Sequence, residues 1–370
     1  MDANIFLDRV KKTQIRMRSS DIDAMLISPS SNLYYLSGYP SKGDKRLFLL
    51  VIPKSESEEP FIFANRLYKD QITSLPFKDI VCWKDGEDPF ALIKAEIEKR
   101  GLPLKSAALE PQIPALFSLP LLKTFPSTQF SLAGPIIDRQ RNIKEPGELD
   151  KMRQAGKCSD KALAAVIEKG SYWLGKTELE FQEALFSELA ALGLDSYGAV
   201  VAVGANAAIP HHDCGRTVIE KGKCLLVDFW SRFNGYYTDC TRTFHFGSPP
   251  EEFAKIHAIV LEAHLAAEAA ARPGALLGDV DKAARSVIEK YGYGEYFTHR
   301  TGHGAGLDVH EGDSVAQGVQ SKVEPGMVFS IEPGIYLPDR YGVRIENLVT
   351  IGEGGAQALH SYPRELRVID

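Results

Sequence analysis

The spacing of apolar residues from Asn4 to Arg18 predicts an amphipathic helix, and the short apolar runs Ala24 to Ile27, Arg46 to Ile52 and Pro60 to Ala64 predict strands. Ser, Pro and Gly punctuate the intervals between them. Helical spacing returns from Pro89 to Arg100, where Gly101 closes it, and again after Pro114. These elements describe an α/β amino-terminal region. Periodicity pauses between Phe130 and Asn142, at Gly134 and Pro135, before a long helical pattern opens near Pro146. The domain boundary is placed in this pause, giving residues 1–138 and 139–370.

The second region repeats one order of elements. A helix from Pro146 to Glu168 is followed by a helix from Thr177 to Leu192, where Thr177 and Glu180 have capping-box spacing, and then by a β-rich segment from Ala199 to Phe246. The order then restarts. Ser248, Pro249 and Glu251 open a helix to Ala271, a second runs from Asp279 to Tyr291 and ends at Gly292, and strands follow to Ile351. This describes a helix–helix–sheet unit present twice, without visible identity between the halves.

Acidic residues sit at matching places in the two β-rich segments. Lys223 to Arg232 and Tyr236 to Phe246 form a hairpin pattern through Phe233, Asn234 and Gly235, with Asp228 and Asp239 symmetric about the turn. An unbulged register makes these two direct cross-strand neighbours, about 5 Å apart at Cβ. In the second half, Met327 to Tyr336 and Val343 to Ile351 flank a turn with Pro338, Asp339 and Gly342, and Glu332 and Glu346 are equidistant from Asp339. Opposed carboxylates on apolar strands repel one another and lose hydration unless a cation lies between them. Solvated acidic hairpins, or structural ion pairs with Arg242 and Arg344, are the alternative. The repetition of the construction favours the metal.

Between the hairpins lies Thr298-His299-Arg300-Thr301-Gly302-His303-Gly304-Ala305-Gly306-Leu307-Asp308-Val309-His310-Glu311. Its glycines allow close backbone approach and positive φ, which predicts that a tight loop presents His303. His299 and His303 have the spacing of a helical H-E-x-x-H zinc motif, but Arg300 replaces the Glu and the glycines oppose a helix. The glycines also fail the G-x-G-x-x-G pattern. Pro210-His211-His212 adds another imidazole pair, whereas His245, His257, His264 and His360 read as hydrogen-bonded structural residues.

Composition narrows the function classes. With 44% hydrophobic and 25% charged residues, the 370-residue chain lies among ordinary globular proteins and is long enough for two domains. A formal charge of −6 provides no global field for nucleic acid or anionic lipid. Met1 to Lys12 lacks the uninterrupted apolar core of a signal peptide, and the run Leu47 to Ile52 is far too short to span a bilayer, so a cytoplasmic location is expected. Five cysteines without a C-x-x-C pair read as reduced thiols.

As a whole the pattern resembles the pita-bread metallopeptidases, the family of prolidase, aminopeptidase P and methionine aminopeptidase. The segments that carry the resemblance are Pro210-His211-His212, Val227-Asp228, Gly235-Tyr236-Tyr237-Thr238-Asp239-Cys240-Thr241-Arg242-Thr243, Gly302-His303-Gly304 with His310-Glu311, Ile331-Glu332-Pro333-Gly334-Ile335-Tyr336, and Gly342-Val343-Arg344-Ile345-Glu346. Ser31 to Tyr39 resembles the amino-terminal domain of the prolidase and creatinase branch, which methionine aminopeptidases lack. Trp230 stands where relatives commonly carry Gly. No Arg occurs from Gly318 to Val323, where many dipeptidases of the family place one; Lys322 is the only cation there.

The resemblance implies an α/β amino-terminal creatinase/prolidase-type domain followed by a duplicated α+β pita-bread domain. It also implies two divalent ions held by Asp228, Asp239, His303, Glu332 and Glu346, with Asp239 and Glu346 bridging. Mn(II) is favoured by this hard ligand set, and Co(II), Zn(II) or Fe(II) are other occupants. Glu332 is implied as proton acceptor, His310 and His211 as groups facing the substrate, and His299 and Arg344 as supporting residues. The expected activity is cleavage of Xaa-Pro bonds in small proline-containing peptides by a homodimer, as Xaa-Pro dipeptidase or, alternatively, Xaa-Pro aminopeptidase. A non-catalytic binding module is the alternative of another class.

Overall fold

The computed structural model describes residues 3–40 and 43–370. Met1 and Asp2, at the start of the amino-terminal segment read above, lie outside them. Two compact units divide the chain, Met1–Gln140 and Arg141–Asp370.

The first unit is a six-stranded sheet with helices. Its strands run in the order Asp79–Trp83, Phe61–Asn65, Leu49–Pro53, Ala24–Ile27, Ser106–Leu109 and Gln129–Leu132. The two central pairings that involve Leu49–Pro53 are antiparallel and the others parallel. The expected helix over Asn4 to Arg18 spans Ala3–Ser19, and that over Pro89 to Arg100 spans Pro89–Lys99, with Asp88 accepting from Phe90 and Ala91 N–H as its cap. Ser31 to Tyr39 contains a helix, Ser31–Ser37, capped by Ser30 Oγ at Leu33 N and ended by Gly38 at φ 75°. One reading needs correction. The pause between Phe130 and Asn142 holds the edge strand Gln129–Leu132 and the helix Gly134–Asn142. That strand's mostly exposed side chains give no buried stripe, so its period was hidden.

In the second unit a nine-stranded sheet carries two helix pairs. The main path of the sheet is Glu311–Val315, Gly302–Gly304, Val328–Ile331, Glu346–Gly352, Tyr236–Phe246, Cys224–Phe233, Asp195–Val203. Helices Pro146–Ile167 and Glu178–Ala191 share one core with Val201, Leu225, Val227 and Phe229. Helices Glu251–Ala270 and Leu277–Lys290 share another with Leu226, Phe329, Ile331 and Val349. Leu225, Val227 and Phe229 thus face one core and Leu226 the other, as strand alternation requires. The helix–helix–strand order occurs twice, as the sequence predicts.

The register of the first hairpin differs from the expectation. Asn234 (φ 49°) and Gly235 (φ 90°) form a two-residue turn, and Phe233 pairs with Tyr236. Asp228 therefore pairs with Thr241, and Asp239 with Trp230. The two acids are diagonal neighbours on one face, because the Asn-Gly turn lies nearer Tyr236 than symmetry between the acids demands. In the second hairpin, Ile331 pairs with Asn347 and Gly334 with Arg344, so one register places Glu332 across from Glu346. Glu346 in turn pairs with Thr241. One row across the sheet thus reads Asp228, Thr241, Glu346, Glu332.

Candidate metal centre

All nine sequence-predicted site residues line one cavity of about 990 Å³: Asp228, Asp239, His303, Glu332 and Glu346, with His211, His299, His310 and Arg344. His303 lies on the short strand Gly302–Gly304, not in a loop, and Gly302, Gly304 and Gly306 have no positive φ. These glycines serve close approach alone. A Cβ on Gly302 would lie 1.8 Å from Ser330 O, and one on Gly304 2.2 Å from Glu311 O. The neighbouring strands could not close around His303 with larger residues there.

The acids are crowded and largely dry. Asp239 is 5% exposed and Glu346 2%. His303 Nε2 lies 3.4 Å from Glu332 Oε1 and 3.8 Å from Asp239 Oδ2. Donor atoms of Asp239, His303 and Glu346 all lie within 4.8 Å of one another. Burial drives the Asp239 carboxyl well above the usual carboxylate range, and the charges of Glu346, Asp228 and Glu332 push it further. Glu346 is raised well above that range in the same way, by burial and then by Glu332 and Asp228. Burial pushes Glu332 up to about 7 against the opposing charge of Arg344. Burial takes His303 down to about 3, with His310 adding to the effect. Among the described residues, no hydrogen-bond partner reaches the buried Asp239 Oδ1. Hard oxygen donors that repel one another, an unprotonated imidazole and an orphaned carboxylate oxygen together fit a divalent cation.

Supporting groups complete the geometry. Thr241 Oγ1 donates to Glu346 Oε2 at 2.6 Å, and Ser330 Oγ donates to Glu332 Oε1 at 3.2 Å while accepting from His303 N at 2.9 Å. Arg344 donates from Nη2 to Asp228 Oδ2 at 2.6 Å and from Nη1 to Tyr336 Oη at 2.7 Å. Tyr336 Oη lies 2.7 Å from His299 Nε2, and His299 Nδ1 lies 2.7 Å from Arg300 O. His299 Nδ1 must carry the proton toward that carbonyl, which leaves Nε2 to accept from the tyrosine. Burial lowers His299 to about 4, with Arg344 acting in the same direction. The imidazole rings of His303 and His310 stand 4.1 Å apart, edge to face. Burial lowers the His310 pKa, and Arg300 lowers it further.

The ion-pair alternative holds in part. Arg344 pairs with Asp228, but the side-chain bonds of Arg242 go to the backbone oxygens of Thr241, Glu346, Tyr362 and Pro363 and to Asn347 Oδ1. Thr241, Ser330 and Tyr336 escaped the sequence reading as supporting residues. Thr241 was detectable, since i and i+2 from Asp239 share a face of the strand. Glu178 also escaped. Fully buried, it accepts from Val203 N, Asn206 Nδ2 and Gly215 N and contacts His212 Nε2 at 2.9 Å, which pins the loop that bears His211. Trp230 lines the cavity over Gly198, where a Cβ would lie 2.2 Å from its ring. His245 and His360 are hydrogen-bonded as expected, whereas among the described residues the buried His257 Nε2 and both nitrogens of buried His264 have no hydrogen-bond partner. The five cysteines are free thiols.

Such a donor set, gathered in one cavity, fits divalent ions. The pattern of Metallopeptidase family M24 matches residues 150–353, and that of the Creatinase/Prolidase N-terminal domain matches residues 9–143. A probable dipeptidase, PepE, of Mycobacterium tuberculosis is 34% identical over 374 residues, covering 100% of this chain and 98% of that protein. The crystal structure of dipeptidase PepE from Mycobacterium ulcerans superposes with a TM-score of 0.93 at 32% identity, covering 100% of this chain and 99% of the other. A recombinant prolidase from Thermococcus sibiricus gives 0.92 at 33% identity, with 100% of both chains covered. The chain belongs to metallopeptidase family M24. Its fold is the creatinase/prolidase amino-terminal domain followed by the pita-bread domain, and it is a metallopeptidase, of a family that uses divalent metals. Among the described residues, no helix is long and apolar enough to cross a membrane.

Proposed function

We propose that this metallopeptidase hydrolyses Xaa-Pro bonds, with dipeptides as preferred substrates, at a dinuclear centre held by Asp228, Asp239, His303, Glu332 and Glu346. The observation that carries this reading is the convergence of those five residues with His211, His299, His310 and Arg344 on one cavity. The dipeptidase and prolidase names of its relatives add support.

In this reading Asp239 and Glu346 would hold both ions, Asp228 would serve one of them, and His303 with Glu332 would serve the other. Two divalent ions, Mn(II) by preference, would supply a nucleophile at neutral pH and Lewis-acid polarisation of the scissile carbonyl. Glu332 takes up the proton released on attack, from a position fixed by Ser330. His310, neutral at pH 7 because burial lowers its pKa, donates to the carbonyl oxygen as negative charge develops there. His211 faces the departing amine. Proline makes a tertiary amide without an N–H, so the pocket beside it requires no acceptor for that donor. The same reading has the chain act as a homodimer in the cytoplasm, with residues 1–138 forming the amino-terminal domain.

Aminopeptidase P activity is the second reading. Gly318 to Val323 contains no Arg, and Lys322 is not among the residues that line the cavity. Comparison of kcat/KM for Ala-Pro, Ala-Pro-Ala and Ala-Ala in the metal-loaded protein separates the two. The dipeptidase reading expects Ala-Pro to be fastest. Faster Ala-Pro-Ala makes the chain an aminopeptidase, and faster Ala-Ala removes the proline preference. Full activity in protein shown by elemental analysis to be metal-free would exclude the centre itself.

A further inference from the structure

Two guanidinium groups line the catalytic cavity, and their surroundings differ. Arg344 is 2% exposed, and its three nitrogens are committed to Asp228, Tyr336, Thr241 and Pro210. Arg300 is exposed; among the described residues it forms no ion pair, and its side chain is held at one point, where Nη1 donates to Ser314 Oγ at 3.2 Å. Ser314 is the cross-strand partner of His303. The Arg300 guanidinium is thus tethered one strand from the imidazole of the candidate metal centre, with most of its donors free. Its charge acts on His303, His310 and Glu332, which agrees with that placement.

We propose that Arg300 binds the free carboxylate of a dipeptide substrate and so confines the enzyme to substrates that end one residue beyond the scissile bond. This rests on the dipeptidase reading above and gives it a residue. In an Xaa-Pro dipeptide the terminal carboxylate carbon lies only about 3 Å from the scissile carbonyl carbon, because a single N–Cα unit separates them at proline's fixed φ. A cation that reads this group must therefore stand beside the reaction centre and must not be neutralised by a protein carboxylate. Among the described residues, Arg300 is the cavity-lining arginine that meets both conditions. Its planar fork can grip a carboxylate through two parallel hydrogen bonds, in geometry that a lysine ammonium cannot reproduce. A tripeptide presents an amide carbonyl and N–H at this position and carries its carboxylate about 3.5 Å farther on. The bland alternative, a solvated arginine on the cavity rim, predicts no dependence on the substrate's terminal charge.

The test pairs each dipeptide with its carboxamide, Ala-Pro with Ala-Pro amide and Ala-Ala with Ala-Ala amide, in metal-loaded wild-type, Arg300→Met and Arg300→Lys proteins. The wild type is expected to favour each acid over its amide by about 10- to 100-fold in kcat/KM, mostly through KM. Arg300→Met should lose that preference, its kcat/KM falling far more on the acids than on the amides, and Arg300→Lys should retain part of it. Equal effects of Arg300→Met on acid and amide, or no acid preference in the wild type, would overturn the proposal. Failure of the proline reading is separate, since it shows as faster cleavage of the Ala-Ala pair. Should neither pair turn over, calorimetric binding of Ala-Pro and its amide reads the same difference, and equal affinities would sink the assignment.

Discussion

Arg344 holds Asp228 through a short charge-assisted hydrogen bond, with Nη2 donating to Oδ2 at 2.6 Å. Through its other end the same guanidinium reaches Tyr336 and, beyond it, His299. The Asp228 carboxylate is thereby aimed by a group in the chain's second hairpin, 116 positions away in sequence. Burial pushes the Tyr336 hydroxyl up to about 12, which keeps it a neutral donor toward His299.

Replacing Arg344 with Met should therefore act on metal affinity and stability together. Removal of one partner leaves Asp228 and Tyr336 without their shared donor, at a cost of about 3–5 kcal/mol typical of a broken buried pair. Metal affinity should fall about 10- to 100-fold, as for loss of other supporting groups. Thermal unfolding and competition with a chelator measure the two effects. Unchanged metal affinity would show that Asp228 needs no such orientation.

Asp239→Asn should separate the metal-free protein from the loaded one. In the metal-free chain, burial and the neighbouring acids hold Asp239 and Glu346 well above the ordinary carboxylate range. A raised carboxyl pKa costs stability as pH rises through the unfolded value toward the folded one, so the amide should stabilise the metal-free protein at pH 7. The same change removes a proposed bridging donor, and the rise in Tm on adding Mn(II) should shrink or vanish. Asp239→Asn and Glu346→Gln should also lose activity more completely than His211→Ala, with circular dichroism confirming the fold. Modest and equal losses across the three would argue against a dinuclear centre.

The buried imidazoles of helix Glu251–Ala270 predict acid sensitivity away from the catalytic cavity. Burial takes His264 from 6.5 down to about 3, and the nearby charges of Arg364 and Arg242 add to the shift. A lowered imidazole pKa means that the unfolded chain binds the proton first. The contribution to stability is then complete above about pH 6.5 and falls by roughly 1.4 kcal/mol per pH unit as pH drops toward the folded value. His264→Leu removes the titration along with two unpartnered nitrogens. Urea midpoints should rise for the variant at pH 8, and at pH 5 the gain should be larger by about 2 kcal/mol. An equal gain at both pH values would show that His264 is not held neutral.

Much of this site was legible in the sequence because its chemistry depends on residue type and spacing. Four acids at matching places in two hairpins, a glycine-spaced histidine between them and a repeated order of helices and strands all survive in one dimension. The resemblance to a metallopeptidase family assembled them into one set of nine residues, and the structure brings all nine to one cavity. The helix boundaries were equally readable where caps announced them, as at Thr177 and Glu180, whose reciprocal hydrogen bonds form the capping box.

What the tertiary structure alone decided is distance, register and environment. Symmetry about a turn suggested that Asp228 faces Asp239, but the Asn234-Gly235 turn displaces the pairing by two residues, and Asp228 meets Thr241. Close approach of Ser330 and Glu311, not positive φ, explains Gly302 and Gly304. The bond from Thr241 to Glu346 spans 105 positions and that from Arg344 to Asp228 spans 116, and no local pattern encodes such a pairing. The freedom of Arg300 beside the commitment of Arg344 was likewise invisible, since both read as arginine. Residue type determines which interactions a side chain can make, whereas the folded chain determines which partners come within reach and how much water remains around them.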